Sequence, residues 1–423
     1  MPSGKTLSEA MVDRGSLLYM SAIATTSNTD LRVASTRPTR VGKMKAARYY
    51  GKRDIRIETI PDPPPPGPNQ VTIDVYWGGI CGTDLHEYTS GPFTINTPDQ
   101  PHSITKEHLP VTFGHEFCGR ISALASGYPA DGPLKLGTPI MVDPRIVCRK
   151  CTACTSGCDN MCANWGYIGL NGGGGGGAGF SEKVNVEMRM CHVLPDDGSV
   201  DLNSVVLCQP LTVGRHALSA SGITDFAGLN VLVLGGGPVG LAVLLNLRAK
   251  GVGAGLSGRV LVSEPTAKRS EMIRRLGLAG PADLLDPMAS NVAEVCRART
   301  GGRGVDIVFD CAGAEEGMLA GMESLRLKGT YLNIAGWKQP FKVPMQFAFY
   351  RELTIKFSMG NNDDDYREVV EDFVAGKFAG AEALITRRLP VEDLAEKGLE
   401  ELVRNKDDHV KIVATWRKDL LNP

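Results

Sequence analysis

Two groups of side chains in this sequence are spaced for metal chemistry, and a third for holding a phosphate. Four cysteines stand at Cys148, Cys151, Cys154 and Cys162, a C-x2-C-x2-C-x7-C pattern. Four thiolates complete the tetrahedral shell of a Zn²⁺ ion with no open position, so such a site holds a loop together and does no chemistry. Cys158 lies in the same loop as a fifth thiol and is read as a non-ligand. A more scattered set is Gly79-Ile80-Cys81-Gly82-Thr83-Asp84-Leu85-His86, followed by Gly114-His115-Glu116. Cysteine, histidine and glutamate all bind zinc, and three protein ligands leave one position for a substrate. Taken singly, Cys81 could be a core thiol after an apolar strand and His115 a core histidine. Beside a four-cysteine lobe and the phosphate signal below, they read as a catalytic metal site.

The phosphate signal is Gly235-Gly236-Gly237-Pro238-Val239-Gly240, entered from the apolar run Val231 to Leu234. In a strand-turn-helix setting Gly235 permits the tight turn, and Gly237 lets a pyrophosphate approach the backbone. Gly240 lets the helix pack on the strand, and the helix start at Pro238 and Val239 presents partial positive charge to the phosphates. The next strand, Arg259 to Ser263, ends at Glu264. A carboxylate there accepts bonds from the adenosine ribose hydroxyls and repels a 2′-phosphate, which favours NAD over NADP. Arg269 is placed to join the cofactor site, and with Lys268 it softens that exclusion.

The elements that must position these groups fall into two styles. From Met44 the text runs in short β-rich pieces, Lys45 to Tyr50, Ile55 to Ile60 and Val71 to Trp77, divided by turn residues. This style continues to about Val193 and predicts an antiparallel, β-rich domain. Beyond Gln209 strands alternate with helices: a strand at Asn230 to Leu234, a helix at Val239 to Lys250, a strand at Arg259 to Ser263 and a helix at Lys268 to Leu276. Strands at Val305 to Phe309 and Gly329 to Ile334 follow. That order predicts a parallel sheet covered on both faces. A helix is expected over Tyr366 to Ala375 and a strand over His409 to Ala414, returning to the first domain. The divisions expected are 1–43 as a disordered extension, 44–210 as the zinc-binding catalytic domain, 211–355 as the nucleotide domain and 356–423 as the return.

Composition closes off other classes. Lys plus Arg is 46 and Asp plus Glu 47, a net charge of −1, without the basic excess of a nucleic-acid binder. No run reaches the roughly 18 apolar residues of a membrane span. Eleven cysteines in a 423-residue chain, five of them between Cys148 and Cys162, suit metal binding in a reducing compartment better than a disulfide framework. Residues 1–43 carry 12 Ser or Thr and 6 Lys or Arg against 3 Asp or Glu. That composition suits a disordered tail or a mitochondrial transit peptide, and the cytoplasm is the expected location unless it is the latter.

From Met44 onward the chain resembles the zinc-dependent medium-chain dehydrogenase/reductase superfamily, in its (R,R)-2,3-butanediol dehydrogenase branch beside the sorbitol dehydrogenases. The carriers are Met44 to Gly51, Ile80 to Tyr88, Gly114-His115-Glu116, the four-cysteine lobe and Gly179-Phe180-Ser181-Glu182. The resemblance implies an α/β architecture: a doubly wound Rossmann sheet joined to a β-rich GroES-like catalytic domain. It implies one structural zinc in the lobe, and one catalytic zinc on Cys81, His115 and Glu116. It places Thr83 near the substrate oxygen and His86 at the outer end of a proton path. The segment Thr89 to Pro110 resembles an insertion of the butanediol enzymes. One departure is Cys208-Gln209-Pro210-Leu211, where the family usually has glutamate before Pro-Leu. Gln209 keeps an oxygen donor but removes a negative charge near the metal. The expected reaction is hydride transfer between NAD and a small secondary alcohol, foremost a vicinal diol such as 2,3-butanediol, in a dimer or tetramer. The alternatives are a sorbitol- or xylitol-type polyol dehydrogenase and, from another class, a catalytically silent or zinc-lobe binding protein.

Overall fold

A computed structural model describes residues 42–252, 258–337 and 340–421. The expectation of a disordered or targeting extension therefore falls, through residue 41, outside the described residues; the strand Lys43–Gly51 already begins at the expected end of that extension.

The β-rich half, expected to carry the reactive groups, is organised by the strand Gln70–Gly79. Its β-branched and aromatic residues alternate with polar ones, and Val71, Ile73, Val75 and Trp77 form the buried face. It pairs antiparallel with Glu116–Leu124 and Lys183–Glu187, and with Lys411–Thr415 near the C-terminus. The seven-stranded sheet runs from Cys191–Val193 through Pro139–Val142 to these strands and on to Ile385–Pro390. The antiparallel reading holds for all but one pairing: Ile385–Pro390 and Lys411–Thr415 are parallel, joined by a helical crossover through residues 391–408.

The second half is a six-stranded, wholly parallel sheet. Its spatial order is Leu284–Leu285, Arg259–Ser263, Asn230–Leu234, Val305–Asp310, Leu325–Asn333, Thr354–Phe357. In sequence order that is 3-2-1-4-5-6, the doubly wound dinucleotide arrangement. Asn230–Leu234 is buried on both faces: Val231 and Val233 belong to one apolar core, Leu232 and Leu234 to the other. The strands at the two edges were not legible in the sequence. One has two residues, and the other, Thr-Ile-Lys-Phe, is partly exposed.

The helix expected from Tyr366 begins three residues earlier, at Asp363. Asn362 caps it by accepting from Asp365 N, and three aspartates in its first turn suit the positive end of the helix. The divisions at 210 and 355 each fall inside an element, the helix Cys208–Ser221 and the strand Thr354–Phe357.

Candidate active site

Three paired strands bring the reactive groups together. Gly79 stands opposite Glu116 on one side and Val413 on the other, so Glu116, Lys411 and the residues just past Gly79 share one end of the sheet. There the chain turns into the helix Gly82–Ser90, with Cys81 at its N-cap. Asp84 ties the two halves of the motif: Oδ2 accepts from Cys81 N (2.9 Å), and Oδ1 lies 3.1 Å from His115 Nδ1. Both Asp84 and His115 are fully buried. With Nδ1 engaged, Nε2 is left for a metal, the carboxylate–histidine–metal arrangement that fixes ring orientation. Burial lowers the His115 pKa, but Asp84 and Cys81 more than reverse this and hold it well above the ordinary value. Metal binding must expel that proton.

Asp84 stands in the sequence motif with no role expected of it, and the structure ties it to both Cys81 and His115. Its signal was an acidic residue three positions after a ligand that opens a helix. Asp84→Asn is expected to weaken metal retention about 10- to 100-fold, read by competition with a chelator. Unchanged retention would leave Asp84 with only a helix-capping role.

Glu116 is engaged elsewhere. Lys411 Nζ donates to both of its oxygens (2.8 and 2.7 Å) and to Ile80 O (3.0 Å), with neither side chain reached by solvent to any extent. Burial lowers the lysine pKa, but Glu116, Cys81 and Asp84 together outweigh it and the net shift is upward, so the lysine stays charged. The structure thus sets Cys81 with His115 and turns Glu116 to a cation that sequence reasoning missed. Lys411 sits in an apolar strand pattern, Val410-Lys411-Ile412-Val413, where a lysine with no visible partner was the available sign.

Thr83 Oγ1 lies 3.8 Å from Cys81 Sγ. One turn on, His86 is exposed and stacks on Phe93 of the insertion at 4.4 Å. Glu87 holds the start of that insertion by accepting from Phe93 N and Thr94 N. On its other side His115 stacks on Tyr167 (5.2 Å), and Trp165 meets Tyr167 edge-on. Gln209 is buried in the first turn of Cys208–Ser221. Its neighbours Leu207, Pro210 and Leu211 line a small apolar pocket together with Pro238 and Lys411.

The four-cysteine lobe fits a closed zinc site. Cys148, Cys151, Cys154 and Cys162 offer sulfur atoms all within 4.8 Å of one another, and among the described residues they are the one such group of three or more potential ligands. Cys151 Sγ lies 3.6 Å from Cys154 Sγ and 3.9 Å from Cys162 Sγ. Tetrahedral Zn–S bonds of about 2.3 Å require sulfurs about 3.8 Å apart. Backbone amides of Lys150 and Cys151 draw the Cys148 thiol down to about 6, whereas burial and the neighbouring thiols push Cys154 up to about 12. Four thiolates this close need a cation to ionise together. Cys158 stands outside the group.

At the nucleotide motif, Gly235 adopts φ +89°, and a Cβ on Gly240 would strike the Gly235 carbonyl oxygen. Both positions therefore require glycine. Gly237 is the N-cap of the helix Pro238–Ala249, with Val239 in its first turn and proline where its missing N–H costs nothing. Glu264 is buried and accepts from Gly236 N (2.5 Å), within the glycine turn, and from Thr266 N (2.7 Å). Lys268 and Arg269 both find partners the sequence did not suggest, Asp408 (2.6 Å) and Asp407 (3.3 Å).

The sequence matches the family described as Alcohol dehydrogenase GroES-like domain over residues 67–196, and that described as Zinc-binding dehydrogenase over 238–375. It is 35% identical over 370 residues to the (R,R)-butanediol dehydrogenase of Neisseria gonorrhoeae, covering 88% of this chain and 99% of the relative. The chain belongs to the zinc-binding medium-chain dehydrogenases, in their butanediol dehydrogenase branch. Members of this family are oxidoreductases acting on CH–OH groups. The dehydrogenase is also 33% identical, over 88% of its length and 90% of the relative, to a probable (R)-acetoin-forming diacetyl reductase of Saccharomyces cerevisiae. Its fold matches the crystal structure of 2R,3R-butanediol dehydrogenase from Bacillus subtilis with a TM-score of 0.78 and 31% identity, over 88% of this chain and 99% of that one. Among the described residues no helix is long and apolar enough to cross a membrane.

Proposed function

We propose that this dehydrogenase transfers hydride between NAD and a small vicinal diol of the 2,3-butanediol type, with acetoin or diacetyl reduction in reverse. The observation that carries the choice is the insertion Thr89 to Pro110, built into the wall of the site. Asn171 donates to Thr94 O (2.8 Å) and Asn96 Oδ1 (2.9 Å), while His102 of the insertion meets Trp165 O at 3.3 Å. The insertion therefore fixes the segment that carries Trp165 and Tyr167 over His115, and with it the room available to a substrate.

Two metal sites with different work are part of the same proposal. The lobe would hold a structural zinc on Cys148, Cys151, Cys154 and Cys162. Cys81 and His115 would hold a catalytic zinc, with Glu116 and Gln209 as nearby oxygen donors. A zinc ion held there supplies Lewis acidity toward a hydroxyl or carbonyl oxygen, and NAD supplies the hydride acceptor. The chain's own part is to orient and to move a proton. Thr83 Oγ1 would relay the alcohol proton, accepting it while giving up its own hydroxyl proton toward solvent, and the same helix leads one turn outward to solvent-exposed His86, which can receive it. Asp84 keeps the His115 ring in one tautomer, and Lys411 keeps the Glu116 charge from standing alone in the interior.

Cofactor choice rests on Glu264, Arg269 and the glycine turn. With Lys268 and Arg269 already paired to Asp407 and Asp408, their pull on a 2′-phosphate is reduced. Glu264→Ser is expected to lower the preference for NAD over NADP by at least about tenfold, ~1.4 kcal/mol. Equal efficiency with both cofactors in the parent enzyme would refute the assignment. A dimer or tetramer is also proposed. Met345, Phe349, Tyr350 and Phe357 stand exposed at and just before the outer strand Thr354–Phe357, a patch that a second copy would cover.

The test of the substrate is a panel run with NAD. Catalytic efficiency on 2,3-butanediol is expected to exceed that on 2-butanol at least about tenfold, because a site built to pair a second hydroxyl is left with unpaired polar groups by the simple alcohol. A polyol as the best substrate would move the enzyme toward relatives such as the sorbitol dehydrogenase of Bacillus subtilis, 26% identical over 88% of the chain. Equal rates on the two butane alcohols would discard the second-hydroxyl argument.

A further inference from the structure

Asn361 is 1% exposed, and neither atom of its side-chain amide has a hydrogen-bond partner. Ser358, three residues earlier and also buried, has an unpartnered Oγ. An unsatisfied buried polar group costs about 1–3 kcal/mol, and folded proteins keep few of them. Two on one short segment call for a ligand.

The position of the segment says which kind. Ser358 to Asn361 leaves the carboxyl end of the strand Thr354–Phe357, the edge of a parallel sheet where ligands bind. Ser358 N donates to Asn333 O, which keeps that residue at the sheet and on the cofactor side. Farther along, Gly360 lies against the catalytic half: a Cβ placed on it would stand 3.8 Å from the Tyr167 hydroxyl. Tyr167 is the ring stacked on His115. The segment is also held firmly, since Asn160 Nδ2 donates to Met359 O (2.9 Å) and Arg145 Nη1 to Asn361 O (3.0 Å). Asn361 thus follows a glycine that lies against the ring stacked on His115, on a segment leaving the carboxyl end of the sheet, and the hydrogen-bonding capacity of its amide is unused.

We infer that Asn361 is a specificity residue of the substrate pocket, pairing the second oxygen of a vicinal diol or hydroxyketone. An amide suits both members of the redox couple. Nδ2 donates to a hydroxyl or a carbonyl oxygen, and Oδ1 accepts from a hydroxyl. The inference rests on the diol reading above and goes beyond it by naming the group that reads the second oxygen.

The experiment compares the parent with Asn361→Leu, a change of similar size, on 2,3-butanediol and on 2-butanol, with KM for NAD and the thermal transition measured alongside. Expected is a fall of about 10- to 100-fold in kcat/KM for the diol, with 2-butanol kept or improved and KM for NAD unchanged. The thermal transition should hold or rise, because no bond is lost. Asn361→Ala should give the same loss of selectivity should the leucine variant fail to fold. Equal falls on both alcohols with a raised KM for NAD would assign the amide to the cofactor and overturn the inference. No change on either alcohol would mean that it meets water only, and would overturn it too. A parent enzyme without diol preference would sink the diol reading first, an outcome visible before any variant is made; preference kept intact in both variants would sink this inference alone.

Discussion

Cys81→Ser is expected to reduce NAD-linked turnover by at least about 10³-fold, while the thermal transition stays within a few degrees of the parent. Losing Lewis-acid stabilisation worth several kcal/mol accounts for the size of the effect, at ~1.4 kcal/mol per tenfold. The fold should tolerate the change because serine is a good N-cap and the Cys81 N–H remains to meet Asp84. Serine lacks the thiolate that partners His115. The discriminating readout is the pairing of a dead enzyme with an intact transition and a zinc content one lower per chain. Turnover within tenfold of the parent would remove Cys81 from the metal site.

The opposite pattern is expected of Cys154→Ser, where stability fails first. Between the lobe cysteines lie Arg149, Asp159 and Asn160, and these grip another part of the chain. Arg149 pairs with Asp363, and Asn160 donates to Met359 O. Arg145, 1% exposed, is neutralised by Asp143, Asp159 and Asp363 together. Opening the lobe withdraws Asp159 from a buried guanidinium that keeps Asp143 and Asp363, so the cost stays below the about 3–5 kcal/mol of a fully broken buried pair. The lost zinc adds to this, since its binding energy supports local folding. A fall in Tm of roughly 5–10 °C or more follows at about 2–4 °C per kcal/mol. Cys158→Ser is the control, outside the group and expected to change neither Tm nor zinc content. Equal effects of the two substitutions would contradict the lobe assignment.

What could be read from the sequence was what is local in the chain. The glycine turn, the strand before it and the helix after it declare themselves within one stretch from Asn230 to Lys250, and the four cysteines within one from Cys148 to Cys162, so neither needed knowledge of tertiary contacts. Cys81, His115 and Glu116 were visible by type. Their partners were not, because Asp84 looks like any helix-opening aspartate and Lys411 is 295 residues from the carboxylate it neutralises. The partners of Lys268 and Arg269 were hidden for the same reason, since Asp408 and Asp407 arrive from the far end of the chain. Asn361 could not have been found at all, since its only distinguishing property is a lack of partners in the folded state. Edge strands escaped because two residues, or a half-exposed Thr-Ile-Lys-Phe, carry no period to detect.

The central claim is a diol oxidation that needs zinc at Cys81 and His115. Its most direct test is the rate of NADH formation from 2,3-butanediol before chelation, after removal of the more labile metal, and after zinc is returned. The account expects turnover to vanish with the first zinc lost per chain, while the fold and the four-cysteine zinc remain, and to come back when zinc is restored. Undiminished turnover in protein shown to be metal-free would contradict it.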